Sequence, residues 1–492
     1  MDSRLSRPRT VAPRPTARSH PMRAAAAVIA ALAVAGCAAP PPGERPAPAL
    51  PGAFPQPPQI GSAGDPPAVA ATPAAAVPWT DFVTDARTQA LVRQALAANH
   101  DLRIAVANVE RARALLGVAR ADELPGVGVG AQVARSSASD SYSVGFTLAN
   151  YEVDLFGRVR SLGDAAAARL AASDEARRAA ELSLIAAVVD TELALRADDA
   201  LIAVTERVLA SRAATLKLVR VKFDGGAAGA PELHANESLV AAARAQHAAL
   251  LRQRAQRANA LALLAGGELP ADLPPPRALA DHAFAELPAG LPSDVLLQRP
   301  DVRQAEAQLA AAEADIGAAR AAKFPRITLT GSLGTASSEL SGLFSNTAWS
   351  FAGQLLQPLF DAGRNRAALA AVQAARDAAV AQYDRAIQSA FREVADALAA
   401  RATLALQLDA QRAQARAEGQ RLALVEMMLS HGAASALERL DAERARLAAE
   451  QAAVQTELAL RQNAVLLYRV LGGGTRVDGR SDSAPGAVDV AR

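Results

Sequence analysis

Residues 301–330 read DVRQAEAQLAAAEADIGAARAAKFPRITLT, and the pattern of this stretch changes once, at Pro325. Before the proline the stretch is rich in alanine with spaced charges and holds one glycine, which favours a helix. After it, Ile327–Thr330 alternates apolar and polar side chains, which is typical of a half-exposed strand. The stretch therefore predicts a helix that passes directly into a strand.

The same passage occurs earlier in the chain. Residues 101–125 align with 301–325 without gaps, and 11 of the 25 positions are identical. The identical positions include Asp, Arg, Gly and Pro, so the abundant alanine does not explain the match. Further on, residues 222–237 match 428–443 in the same way. The chain therefore contains an internal duplication.

Each half is predicted to contain a helix, two strands and then very long helices. The first helices are expected at about 84–123 and 293–323, and Ser/Gly-rich turns join the strands at 136–140 and around 337–346. Long segments without glycine or proline then follow, at 164–224, 232–265, 364–418 and 433–471. The first of them would span roughly 90 Å as an α-helix.

The long segments carry apolar residues at a seven-residue spacing. One such series runs through Val188, Leu195, Ile202, Leu209 and Leu216, and a second through Val380, Ile387 and Val394. This spacing predicts helices packed as in a coiled coil. A plain soluble coiled-coil rod has the same pattern and stays open as an alternative.

Proline distribution and the repeat predict the division of the chain. The expected segments are a signal peptide (1–36), a Pro-rich extended arm (37–80), a first repeat (81–267), a linker (268–292), a second repeat (293–472) and a tail (473–492).

The signal segment ends at the only cysteine, Cys37. Residues 24–35 form an apolar run that is too short to cross a bilayer as a helix but has the length of a secretory signal. The motif that follows, Val34-Ala35-Gly36-Cys37, resembles a bacterial lipobox, in which the cysteine is lipidated. Ala38 stands where an inner-membrane retention signal has Asp, so an outer-membrane anchor is expected. A secreted protein with an incidental cysteine is the alternative.

Aromatic residues gather around the predicted strands. Nine of the chain's 17 aromatic residues fall in 120–160 and 320–362. Amphipathic strands with aromatic residues near their ends are typical of a membrane β-barrel. Four strands cannot close a barrel, and an open edge in lipid leaves backbone groups unpaired. Three copies would supply twelve strands. The predicted fold is therefore mainly α with a small β part, a trimeric 12-stranded transmembrane β-barrel continued by a long α-helical periplasmic barrel.

The composition and motifs of the chain argue against several other classes of protein. The net charge of +2 indicates no nucleic-acid partner, and a single cysteine excludes a disulfide framework or a zinc site of several thiolates. The histidines lack ligand spacing, and neither a G-x-S-x-G elbow nor a phosphate-binding G-x-x-x-x-G-K loop occurs. We therefore predict no enzyme, no metal site, and no cofactor other than a covalent lipid on Cys37.

Four stretches resemble the TolC-like outer-membrane efflux channels, most closely the OprM-type lipoproteins. They are YEVDLFGRVR (151–160), residues 287–334, QPLFDAGRNR (357–366) and FREVADALAA (391–400). The resemblance implies a homotrimer in the outer membrane that projects into the periplasm and binds a periplasmic adaptor and an inner-membrane RND-type transporter. The implied function is the exit duct of a tripartite pump for drugs or other small toxic compounds.

Two other functions stay open at this point. The same channel fold also suits heavy-metal efflux or type I protein secretion. A lipid-anchored coiled-coil scaffold of the envelope, without a pore, is an alternative from a different class.

The turns between the long helices are the predicted functional sites. The resemblance implies that the adaptor docks there, on Gly225, Gly226, Ala227, Gly229, His431, Gly432, Ala433 and Ser435. Glu438 and Asp441 lie three apart, on one helix face, and match paired acids that form a periplasmic gate in some relatives. In a trimer six carboxylates would meet, raising some of their pKa values and selecting cations. Alternatively, Ser435 and Glu438 form a capping box.

Overall fold

The computed structural model describes residue 54 and residues 77–137, 139–285 and 293–474. Its helices are α1 (Trp79–Phe82), α2 (Ala86–Ala98), α3 (His100–Ala121), α4 (Arg158–Asp224), α5 (Ala230–Leu264), α6 (Pro300–Ala321), α7 (Arg364–Ser430) and α8 (Ala436–Val470). Its strands are β1 (Val127–Arg135), β2 (Asp140–Val153), β3 (Arg326–Ser337) and β4 (Thr347–Leu356). The predicted class, mainly α with a small β part, is confirmed.

Several predicted segments fall outside the described residues. Cys37 and the predicted signal peptide (1–36) do so entirely. Most of the predicted arm (37–80), the end of the linker (268–292) and nearly all of the tail (473–492) do so as well. The lipidation of Cys37 and the segment boundaries stay predictions.

The two halves of the chain contain helices of equal length. α3 and α6 have 22 residues each, α4 and α7 have 67, and α5 and α8 have 35. α7 is longer than its predicted segment because it runs on through Gly419. At 1.5 Å per residue, α4 and α7 are each about 100 Å long.

The prediction of a single helix over 84–123 is wrong, because the helix is interrupted at Asn99. Its backbone is extended, with φ −62° and ψ 130°. Its side-chain oxygen accepts a hydrogen bond from the Leu102 N–H at 3.0 Å, and its side-chain nitrogen donates to the Leu264 carbonyl at 3.0 Å. Asn99 therefore caps α3 and ties its start to the end of α5.

The helix predicted over 293–323 is interrupted in the same place of the second repeat. Ser293–Gln298 is a 3-10 turn, and α6 begins only at Pro300, since the residue before a proline avoids the helical region. That residue, Arg299, donates from Nη1 to the Val470 carbonyl at 2.9 Å. Arg299 thus ties the start of α6 to the end of α8, as Asn99 ties α3 to α5.

The strands form one antiparallel sheet in the order β1-β2-β3-β4. Each strand joins directly to one helix of a row in which α3 packs on α4, α4 on α6 and α6 on α7. Sheet and helices therefore form one continuous layer. β1 with α3 makes one edge of this layer, and β4 with α7 makes the other.

A hydrophobic core lies midway along the long helices. Trp79 and Phe82 of α1 are buried there, and Phe82 stacks on Tyr468 of α8 with ring centroids 4.2 Å apart. Of the predicted heptad series, Val188 and Leu195 are buried, as are Ile387 and Val394 of α7. Ile202, Leu209 and Leu216, nearer the end of α4, are only half-buried. Among the described residues, no helix combines the length and the hydropathy that crossing a bilayer requires.

Candidate functional site

The two helical hairpins end in turns of the same construction. After α4, the N–H of Gly226 donates to the Phe223 carbonyl at 3.0 Å and that of Ala227 to Lys222 at 2.7 Å. After α7, Gly432 and Ala433 repeat these bonds at 3.1 and 2.8 Å, to the carbonyls of Leu429 and Met428. Both glycines have a positive φ, 73° and 78°. Each turn is thus a Schellman motif that requires glycine at its left-handed position.

The helices that follow the two turns are capped differently. Before α5, Gly229 has no side chain to cap with, and Pro231 occupies the first turn. Before α8, Ser435 Oγ accepts from the Glu438 N–H at 3.2 Å, and Glu438 Oε2 accepts from the Ser435 N–H at 2.6 Å. This reciprocal pair is the capping box that the sequence indicated.

The candidate gate carboxylates are both exposed. The Ser435 backbone and hydroxyl groups bond to Glu438 and hold the pKa of its carboxyl below its ordinary value of 4.5. In the single protomer, therefore, Glu438 is an ionised cap. Asp441 lies one turn further along α8 and adds a second exposed carboxylate on the same face.

The ends of both hairpins expose large apolar side chains. They are Leu218, Val221 and Phe223 on α4, Leu424, Met427 and Met428 on α7, and Leu437 on α8. Several large exposed apolar side chains near one end of a molecule are typical of a surface that binds another protein.

An ion-pair cluster joins the two hairpins just behind the turns. Arg212 of α4 donates from Nε to Glu443 Oε1 of α8 at 2.8 Å, and from Nη1 to the Leu239 carbonyl of α5 at 3.3 Å. Arg439 of α8 donates to Thr215 Oγ1 of α4 at 3.1 Å, and its Nη1 lies 3.7 Å from Glu443 Oε2. The cluster therefore fixes α8 against α4 next to the gate residues.

Sequence reasoning did not find this cluster. The repeat matches Glu443 to Glu237, but Glu237 forms an exposed pair with Arg220 on its own hairpin. The side chain of Glu443 is only 6% exposed. The repeat identifies Glu443 as the counterpart of Glu237, but the burial of the Glu443 side chain depends on the packing of α8 on α4.

The sheet carries an apolar row that crosses all four strands. Val129 pairs with Phe146, Phe146 with Leu333, and Leu333 with Trp349. These side chains are 76, 59, 56 and 76% exposed. A neighbouring row on the same face contains Val127, Leu148, Gly331 and Phe351. Contiguous exposed apolar patches of this kind mark a surface that binds another protein or a membrane.

The opposite face of the sheet is small and polar. Its rows contain Gly128, Thr147, Ser332 and Ser350, and next to them Gly130, Gly145, Gly334 and Ala348. Ser332 Oγ and Ser350 Oγ are hydrogen-bonded at 2.7 Å. The strands have 9 to 14 residues, and about 9–11 suffice to cross a bilayer. The sheet therefore has one face suited to lipid and one suited to water.

An amphipathic sheet of this length, continued by long helical hairpins, is typical of a membrane protein and argues against a soluble rod. The chain belongs to the outer membrane efflux protein family, whose model matches residues 91–267 and 291–473. The resemblance stated above is thereby confirmed.

Curated relatives and solved structures agree with this assignment. The chain is 40% identical over 465 residues to the solvent efflux pump outer membrane protein SrpC of Pseudomonas putida, covering 92% of this chain and 98% of the relative. It is 42% identical over 416 residues to the outer membrane protein OprJ of Pseudomonas aeruginosa, covering 80% and 86%. The open-state structure of the Neisseria gonorrhoeae MtrE outer membrane channel superimposes with a TM-score of 0.80 at 39% identity, covering 90% of this chain and 99% of that one.

The protein is therefore an outer-membrane efflux protein with a TolC-like fold, as predicted. Its family and relatives are channel and transport proteins, and its relatives are the outer-membrane components of efflux pumps.

Proposed function

We propose that three copies of this chain form the exit duct of a tripartite efflux pump in the outer membrane. The observation that carries the proposal is the apolar row Val129–Phe146–Leu333–Trp349, which is exposed on one face of a sheet whose opposite face is polar. A closed barrel places such a row against lipid and the polar rows around a water-filled lumen.

The free edges of the layer support association of identical copies. Within the chain, β2 pairs with β3, and α4 packs on α6. Because the halves are duplicates, the same contact between copies would pair β4 of one with β1 of the next and seat α7 against α3. α3 exposes Ile104, Leu115 and Val118, which such a neighbour would cover. Three copies give twelve strands, enough for a barrel with a lumen.

The helical hairpins would then form a periplasmic tunnel about 100 Å long. Their exposed apolar ends are the surface that a periplasmic adaptor would bind, with an inner-membrane RND-type transporter behind it. A lipid on Cys37 would add an anchor in the outer membrane. The proposed cargo is drugs or other small toxic compounds, in keeping with relatives named for solvent and toluene efflux.

The gate would lie at the turns. Trimerisation would bring Glu438 and Asp441 of three copies around one axis, where their negative charge would select cations. The cluster of Arg212, Glu443 and Arg439 would hold α8 against α4 and so keep this mouth closed.

Tryptophan fluorescence in brominated lipid tests the lipid-facing role of the row. Trp349 is exposed on the apolar face, whereas Trp79 is fully buried in the core. We expect bromine in the acyl chains to quench Trp349 strongly and Trp79 weakly. Trp349→Phe should remove the quenched component, and Trp79→Phe should retain it. Equal emission in brominated and ordinary lipid, from protein that is correctly inserted, would contradict the proposal.

A further inference from the structure

We propose that Met427, Met428 and His431 form a binding site for a soft monovalent cation, of the Cu(I) or Ag(I) type, at the end of α7. Met427 and His431 are four residues apart and Met428 and His431 three, so the three residues lie on one side of the helix end. Thioether and imidazole ligands together favour Cu(I) over hard cations.

The imidazole of His431 is held by its Nδ1 atom at the end of α7, which leaves Nε2 available to a ligand. Its Nδ1 lies 2.8 Å from the Met427 carbonyl oxygen, which can only accept, so the proton of the neutral ring is on Nδ1. Nε2 then carries the free lone pair. A backbone carbonyl that holds the far nitrogen of a ligating histidine is the usual outer-shell arrangement of metal sites. Ser430 Oγ, at 3.2 Å from Nδ1 and 2.7 Å from the same carbonyl, braces the ring.

The placement of the methionines separates this site from ordinary core packing. The chain has four methionines, and the other two, Met1 and Met22, precede Cys37. Met427 and Met428 are exposed on a helix end, within the apolar surface described above, so the proposed metal site lies on the surface that a periplasmic adaptor would bind. The matching positions of the first turn are Val221, Lys222 and Gly225, so the duplicated turn lacks every proposed ligand.

The site differs from the usual sites of harder ions. Within the described part of the chain, no group of three or more His, Cys, Asp or Glu side chains gathers in a way that could hold a metal ion. The proposed site depends instead on two sulfur atoms, and it is complete in a single copy.

Calorimetric titration of the purified full-length protein with Ag(I), which needs no reductant, tests the proposal. A Cys37→Ser background removes the only cysteine sulfur that could compete for the ion. We expect one saturable site per chain, and absorption-edge spectra of the loaded protein should show sulfur and nitrogen neighbours. Met427→Leu with Met428→Leu should abolish binding, and His431→Gln should weaken it about tenfold or more. Leucine is close to methionine in volume, so these variants should fold normally.

His234→Gln is the matched control, because His234 is an exposed histidine near the first turn that pairs with Glu237. We expect this variant to bind Ag(I) like the parent. The absence of saturable binding in the parent, or equal affinity in the double methionine variant, would overturn the proposal. Binding that survives His431→Gln without loss would exclude the histidine as a ligand and likewise overturn the three-ligand site.

Discussion

Replacing Glu443 by alanine should loosen the joint between the two helical hairpins. The carboxylate bridges Arg212 of α4 and Arg439 of α8, and the three side chains are 6, 10 and 16% exposed. The alanine variant leaves two nearly buried guanidinium groups without their shared anion. The candidate gate residues Glu438 and Asp441 lie on the same helix, so the loosened contact should also affect the proposed periplasmic opening.

The contacts of Glu443 limit the free-energy cost of the Glu443→Ala substitution. Breaking a buried ion pair by removing one partner costs about 3–5 kcal/mol. Each arginine keeps one hydrogen bond, Arg212 to the Leu239 carbonyl and Arg439 to Thr215 Oγ1, which lowers the penalty. We therefore expect a loss of about 2–3 kcal/mol in the free energy of local opening, or roughly a 30- to 140-fold increase in the opening constant.

Hydrogen exchange followed by mass spectrometry measures this opening in the folded protein. Amides of the segments around Arg212 and Glu443 should exchange faster by that factor, and channels of the variant in a bilayer should open more often. Glu237→Ala is the matched control, because Glu237 is the repeat counterpart of Glu443 and its pair with Arg220 is exposed. Unchanged exchange in Glu443→Ala, or an equal change in Glu237→Ala, would refute the reasoning.

Three further predictions concern assembly, the gate and acid stability. With Cys37 replaced by Ser, Ala131→Cys and Leu355→Cys, the repeat counterparts of the paired Gly331 and Leu148, should form disulfides between copies, giving a ladder on a denaturing gel that ends at three chains; a ladder that ends at two would count against the trimer. Glu438→Gln with Asp441→Asn should raise or destabilise the conductance of the channel and weaken its selectivity for cations. Ser435→Ala, which removes only the helix cap, is the control. Unchanged conductance in the double variant would show that the two carboxylates do not gate the channel. Burial lowers the pKa of His282 below its ordinary value of 6.5, so the unfolded chain binds this proton more readily, and stability should fall as the pH drops below 6.5. His282→Gln should reduce that loss in thermal unfolding, and an identical pH dependence in the variant would be inconsistent with the buried histidine as its source.

Local pattern was sufficient to predict the regular parts of the fold. The alternation in Ile327–Thr330 predicted β3, and the segments without glycine or proline predicted the long helices, because both periods depend on residues close in sequence. The break at Asn99 was missed because no glycine or proline marks it. The available indication was an asparagine followed by His100 and Asp101, which is a helix-start pattern.

Features that depend on distant contacts could not be predicted from one sequence. The row from Val129 to Trp349 exists only because four strands pair in one register, and one of the three pairings, that of β2 with β3, joins the two repeats. The burial of Glu443 depends on α4, more than 200 residues away, as the contact with Arg212 shows. The capping box of Ser435 and Glu438 was predictable because it is local.

Current recording across a planar bilayer is the most direct test of the central claim, that this chain forms a pore. We expect the purified, correctly folded protein to give discrete conductance steps, with cations passing in preference to anions. Protein that assembles and inserts but gives no conductance steps would contradict the claim and favour a scaffold without a pore.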